Sequence, residues 1–157
     1  MTSTITAATL TVTLTESISL NGVDQGGTNT LTIASVNEVS KRIVTCSASQ
    51  TTTVAEFRND VYESAGAIDI EDSRYIRITN LDDTNSVEIA VVTGGGAGTT
   101  YQVKLDPGHS HILGSANDLM LAEADTTPSF GTMADVNSIR VRPGTSAVDI
   151  EIFVASI

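Results

Sequence analysis

The 157-residue sequence predicts an all-β, jelly-roll-like antiparallel β-sandwich in a single domain, 1–157. Three observations lead there. Apolar residues alternate with polar ones at period two in segment after segment, and Gly, Pro, Asn and Asp clusters separate those segments every ten residues or so. Thr and Ser are abundant while aromatics make up only 4% of the chain, which suits pleated strands more than helices. No long stretch carries a 3.6-residue apolar period, and no fixed repeat points to a propeller or solenoid.

The elements follow in order. In TITAATLTVTL, Leu10, Val12 and Leu14 fall on one face and Thr9, Thr11 and Thr13 on the other. SISLNGVDQGGTNTLTIASV then alternates through Ile18 and Leu20, crosses Asn21-Gly22 and Gly26-Gly27, and alternates again through Leu31 and Ile33, so two strands flank a wide turn. EVSKRIVTCSAS reads as a further strand. Its Lys41-Arg42 pair is the only adjacent basic pair, and reads as solvated charge at a strand end or as a contact for an acidic partner. TTTVAEFRNDVYESAG permits a short helix or a short strand followed by a loop, and the strand is preferred because Thr and Val dominate its start.

RYIRITNLDDTNSVEIAVV is a hairpin signal: Ile76 and Ile78 on one arm, Val87, Ile89 and Val91 on the other, and LDDTN between them. The glycine-rich GGGAG, 94–98, precedes YQVKL and predicts a second hairpin. Gly114 to Asn137 is less patterned, with Leu119 to Leu121 as a possible strand. The chain closes with Ile139 and Val141, a Pro143-Gly144 turn, and the alternating Val148, Ile150, Ile152 and Val154.

Charge and composition exclude several classes of function. A formal net charge of -11 leaves too little Lys and Arg to neutralise a phosphate backbone, so no nucleic-acid partner is expected. No apolar run is long enough to span a membrane as a helix, and the start lacks the basic residues and unbroken apolar core of a cleaved export signal. The single Cys46 lies in a strand pattern with no activating neighbour in sequence and is expected to be inert.

LDPGHSHIL holds the chemical candidate with the most structure to it. His109 and His111 are two residues apart, a spacing that puts both imidazoles on one face of an extended strand, where they could share a metal ion. The cupin metal motif is not matched: Val103 stands in place of its glycine, Ser115 or Ala116 in place of its glutamate, and the chain has no third histidine. Three copies on a threefold axis could still bring six imidazoles to one ion. GGGAG is followed by a strand pattern and not by a helix start, so it reads as a hairpin loop and not as a phosphate cradle. The acidic stretches Asp69 to Asp72 and Asp82 to Asn85 lack calcium-loop spacing, and no serine sits in a nucleophile elbow. No enzyme activity and no cofactor are expected.

The Thr-rich alternating start together with SISLNG, RYIRITNLDDTN and LDPG resembles small β-sandwich virion proteins of tailed phages infecting cyanobacteria and other marine bacteria. The resemblance implies a structural role: a capsid decoration or cement protein, or a neck, tail or fibre component. It further implies a homo-oligomer, commonly a trimer, located in the virion after assembly in the host cytoplasm and contacting the major capsid protein or other virion proteins. The N-terminal arm, residues 1–14, is the expected exchanged element. Thr9, Leu10, Val12 and Leu14, with Lys41 and Arg42, are the expected interface residues. A glycan-binding module and a cupin-like metalloprotein using His109 and His111 are the alternatives.

Overall fold

The computed structural model describes residues 4–60, 62, 64, 66–94, 98–123 and 126–157. Among them are thirteen strands and no α-helix. Two open with a long ribbon: β1 (Ala8–Glu16) pairs antiparallel with β4 (Gly27–Val36), and the short β2 (Ser19–Leu20) and β3 (Val23–Asp24) pair beyond them. The body follows as β5 (Glu38–Cys46), β6 (Thr52–Arg58), β7 (Ile68–Asp69), β8 (Ser73–Asn80), β9 (Val87–Thr93), β10 (Thr100–Leu105), β11 (Ser110–Leu113), β12 (Val136–Pro143) and β13 (Val148–Ser156).

The body is two sheets, β10-β9-β12-β6-β7 and β11-β8-β13-β5. Set aside the two-residue β7, which joins the edge of β6 in parallel, and eight strands remain. Numbered in chain order, they form one sheet of first, eighth, third and sixth and another of second, seventh, fourth and fifth. First pairs with eighth, second with seventh, third with sixth and fourth with fifth, as if one long hairpin had been rolled up. That is the jelly roll, two interlocked Greek keys.

Period-two alternation explains why the sheets close on each other. In β13, Val148, Ile150, Ile152 and Val154 are buried inward, and they meet Phe57, Ile89, Val91, Ile139 and Val141 from the opposite sheet in one continuous core. Cys46 belongs to that core with no exposed surface, and burial pushes its thiol pKa up, which keeps it protonated and unreactive.

Two buried polar side chains hold the loops. Asn80 donates from Nδ2 to the carbonyls of Asn85 (2.9 Å) and Leu105 (3.2 Å), while its Oδ1 accepts from the Asp82 N–H (3.0 Å). Its own backbone pairs with His109 O and Gly108 N. One asparagine thus fixes both the LDDTN loop and the LDPGHSH turn. Ser73 does similar work, donating to Ile70 O and accepting from Ala116 N, each at 2.9 Å.

Four sequence expectations change. RYIRITNLDDTNSVEIAVV is not a hairpin: β8 and β9 lie in different sheets, and the LDDTN loop crosses from one sheet to the other, because each arm finds its partner in another strand. The wide turn is a tight one, because Asn21 (φ 51°) and Gly22 (φ 80°) both adopt the left-handed conformation that a two-residue hairpin turn demands. Lys41 and Arg42 sit in the middle of β5, not at a strand end. Leu119 to Leu121 forms no strand, only an isolated bridge between Met120 and Ala134. The glycine-rich loop is seen only at Gly94 and Gly98, its three central residues lying outside the described set.

Phe57 is the largest fully buried side chain, and its ring has no polar edge to lose. Phe57→Ala is expected to cost about 3–5 kcal/mol of stability, read as a lower urea midpoint with an unchanged slope.

Candidate functional site: an apolar ribbon face

The ribbon is two-faced from base to tip. Its register is constant from Leu10↔Ile33 through Glu16↔Gly27 to Leu20↔Val23, bridged by the Gln25 N–H to Ile18 O bond of 3.0 Å. Alternation therefore gathers Leu10, Val12, Leu14, Ile18 and Leu20 with Val23, Leu31 and Ile33 on one side, interrupted at mid-ribbon by Glu16, Gln25 and Asn29, and leaves mainly threonines and serines on the other. Gly26 makes the pairing possible at mid-ribbon: a Cβ there would stand 2.2 Å from the Glu16 carbonyl oxygen.

The base of this stripe has a seat in its own chain. Leu10, Val12 and Ile33 pack with Val36 against Tyr75, Phe153, Ala155 and Ile157, which lie on the outer face of the β11-β8-β13-β5 sheet. Tyr75 meets Phe153 edge-on with ring centroids 6.0 Å apart, and the Arg77 guanidinium lies 6.0 Å from the Phe153 centroid. Beyond that seat the stripe is bare. Leu14, Ile18, Leu20, Val23 and Leu31 are 55%, 55%, 60%, 57% and 50% exposed. Monomers rarely leave an apolar stripe of this length uncovered.

Charge sharpens the picture. From Thr4 to Asn37 the only charged residues are Glu16 and Asp24, on a chain whose net charge is -11. Depletion of charge marks the core of an interface. Asp24 is used within the tip, accepting from the Gly26 N–H at 2.8 Å.

The expected interface residues separate into groups. Leu10 and Val12 are half-buried on their own sheet, Leu14 is exposed on the bare part of the stripe, and Thr9 is exposed among the polar side chains opposite. Residues 4–14 are the described part of the arm, and within the single chain β1 pairs with β4. Lys41 and Arg42 point to opposite faces. Lys41 lies outside and pairs with Glu151 at 3.1 Å; Arg42 turns inward and donates to Val54 O of the other sheet, clamping one edge of the sandwich. Glu151 also accepts from Arg77 at 2.5 Å, and the two cations hold its carboxyl below the usual carboxylate range. Ile18, Leu20, Val23 and Leu31 join Leu14 on the bare stripe without being among the expected interface residues, and the scarcity of charge around them is the sequence signal that marks them.

The histidines have different surroundings. His109 is exposed in the turn before β11, while the His111 ring lies half-buried between the sheets, its Nε2 3.1 Å from the Tyr101 hydroxyl and the two rings 6.1 Å apart. Among the described residues no cluster of three or more His, Cys, Asp or Glu is placed to hold a metal ion. The acidic loop side chains are occupied by their own turns: Asp82 accepts from the Thr84 and Asn85 N–H groups, and Asp69 from that of Glu71. Those bonds hold the Asp82 pKa below its ordinary value.

No family model matches the chain. No curated protein matches it either. It is similar to a solved structure from Bacillus endospore appendages, described as a novel family of disulfide-linked pili, at 11% identity and a TM-score of 0.43 over 76% of this chain and 86% of that one.

Burial pushes the His111 pKa down, so the neutral ring is the folded-state form. A histidine depressed in the folded state contributes stability above its unfolded pKa of about 6.5, and that contribution is lost as pH falls through the lower folded value. Urea midpoints should therefore fall between neutral and mildly acidic pH, and His111→Gln should flatten that dependence relative to the parent.

Proposed function

We propose that this chain is a structural subunit that works by self-association, and that its setting is the virion of a tailed phage, where it decorates and cements the capsid as a homo-oligomer, a trimer. The observation that carries self-association is the bare apolar stripe from Leu14 to Leu31, built on a ribbon that is almost free of charge. The virion setting rests on the resemblance of SISLNG, RYIRITNLDDTN and LDPG to small virion proteins. A jelly-roll body suits the role because its shape is set by a core independent of the ribbon, leaving the ribbon to serve contacts between subunits.

Mechanistically, such a protein stabilises a shell by mass action. It binds the assembled lattice and not the dissociated subunits, so each bound copy draws the equilibrium toward the intact particle. Self-association adds avidity, because several weak shell contacts are then made together.

Light scattering tests the first half. A mass near three times the 16.4 kDa of one chain is expected, and Leu20→Asp with Val23→Asp should reduce it to one without changing the urea midpoint of the body. A wild-type monomer at every concentration would overturn self-association. For the second half, wild-type protein should co-sediment with capsids of the phage that carries its gene and raise their disruption temperature; failure to bind shells removes the decoration role.

A further inference from the structure

The bare stripe has a matching surface on the same molecule. On the outer face of the β11-β8-β13-β5 sheet, the edge strand β5 presents Val39, Lys41 and Ile43, opposite Ala155, Phe153 and Glu151 of β13. Val39 is 54% and Ile43 60% exposed, although the neighbouring part of this face is covered by the chain's own ribbon base.

The two surfaces share one pattern. Leu14-Glu16-Ile18 on the ribbon and Val39-Lys41-Ile43 on β5 each set two exposed apolar side chains about 13 Å apart, four strand residues, around one charge. The charges are opposite. Glu16 takes part in no ion pair among the described residues. Lys41 lies at the centre of the β5 trio, where it and Arg77 share the carboxylate of Glu151, while Asp149 at the far end of the same face is engaged by the Thr45 hydroxyl at 2.6 Å.

We propose that the ribbon of one copy seats on the outer face of β5 in a second copy, Leu14 and Ile18 against Val39 and Ile43, with Glu16 pairing to Lys41. This deepens the self-association reading and rests on it. The second copy is favoured over a foreign partner because the same face already accepts the same stripe within the chain, and the seat continues that contact. It is favoured over ribbon against ribbon because that arrangement would bring two Glu16 carboxylates together in an already acidic protein. The contact is head to tail: every copy gives a ribbon and receives one, so copies close into a ring when the rotation allows.

Charge exchange and cross-linking test it together. Glu16→Lys sets two like charges face to face and should weaken association more than tenfold, whereas Glu16→Lys combined with Lys41→Glu should restore it. Because Lys41→Glu also faces Glu151 and can disturb the body, a second measurement stands apart from it. Mixed Ile18→Cys and Ile43→Cys proteins should give a disulfide-linked dimer on oxidation that neither variant gives alone. An oligomeric wild type with no mixed cross-link, whose mass is unmoved by Glu16→Lys, would overturn the seat and leave self-association standing. A wild type that is monomeric throughout would overturn both.

Discussion

Everything in the molecule hangs on β13 packing in two directions. Its even-numbered residues from Val148 to Val154 enter the core between the sheets, and its Phe153 and Ala155 turn outward to receive the ribbon. Pairing is equally two-sided, with β5 along one edge and β8 along the other over nearly its full length. β13 therefore locks β5, the first strand of the body, and the roll cannot close until β13 has joined it. Closure of this kind depends on contacts remote in sequence, which is why jelly rolls fold more slowly than helical domains of equal size.

The ribbon obeys the same alternation with a different outcome. In β13 both faces find a partner inside the chain, while in the ribbon only the first few pairs do. Past Val12 the stripe continues with nothing beneath it, and both outer edges of the ribbon offer unpaired backbone among the described residues. Natural proteins usually blunt such edges with charge or a bulge. Here the bulge lies at the base, between Ala8 and Leu10, and the tip carries almost no charge, so the usual protections are missing where the apolar surface is most exposed. A surface left so open fits a segment whose exposed state is temporary.

Strands were legible in the sequence because each depends on local alternation, whereas the tight turn at Asn21-Gly22 was hidden inside an expected wide turn, since Gly26-Gly27 offers a second set of turn residues just beyond it. The rolled order was not legible, since pairing β5 with β13 joins residues about a hundred positions apart and no local pattern encodes it. The same limit hid the fates of Lys41 and Arg42. Adjacent in sequence, they belong to opposite faces of one strand: the first meets Glu151 across the sheet, the second a carbonyl in the facing sheet. His111 likewise meets Tyr101, ten residues away across the gap between sheets. The Asn80 hub ties together two phrases that the sequence showed only as separate turns.

The proposed self-association of so acidic a chain has a repulsion problem to solve. At physiological ionic strength charges are screened beyond about 8 Å, so distant carboxylates on two copies barely sense each other, but those inside a contact do. Keeping the ribbon nearly neutral removes that local penalty. In the proposed contact the remaining acidic surface would work in favour of order: it would oppose random association everywhere except where the apolar stripe, with Glu16 in its middle, meets a face centred on Lys41. Attraction sets the strength of such a contact, and the surrounding repulsion sets its register.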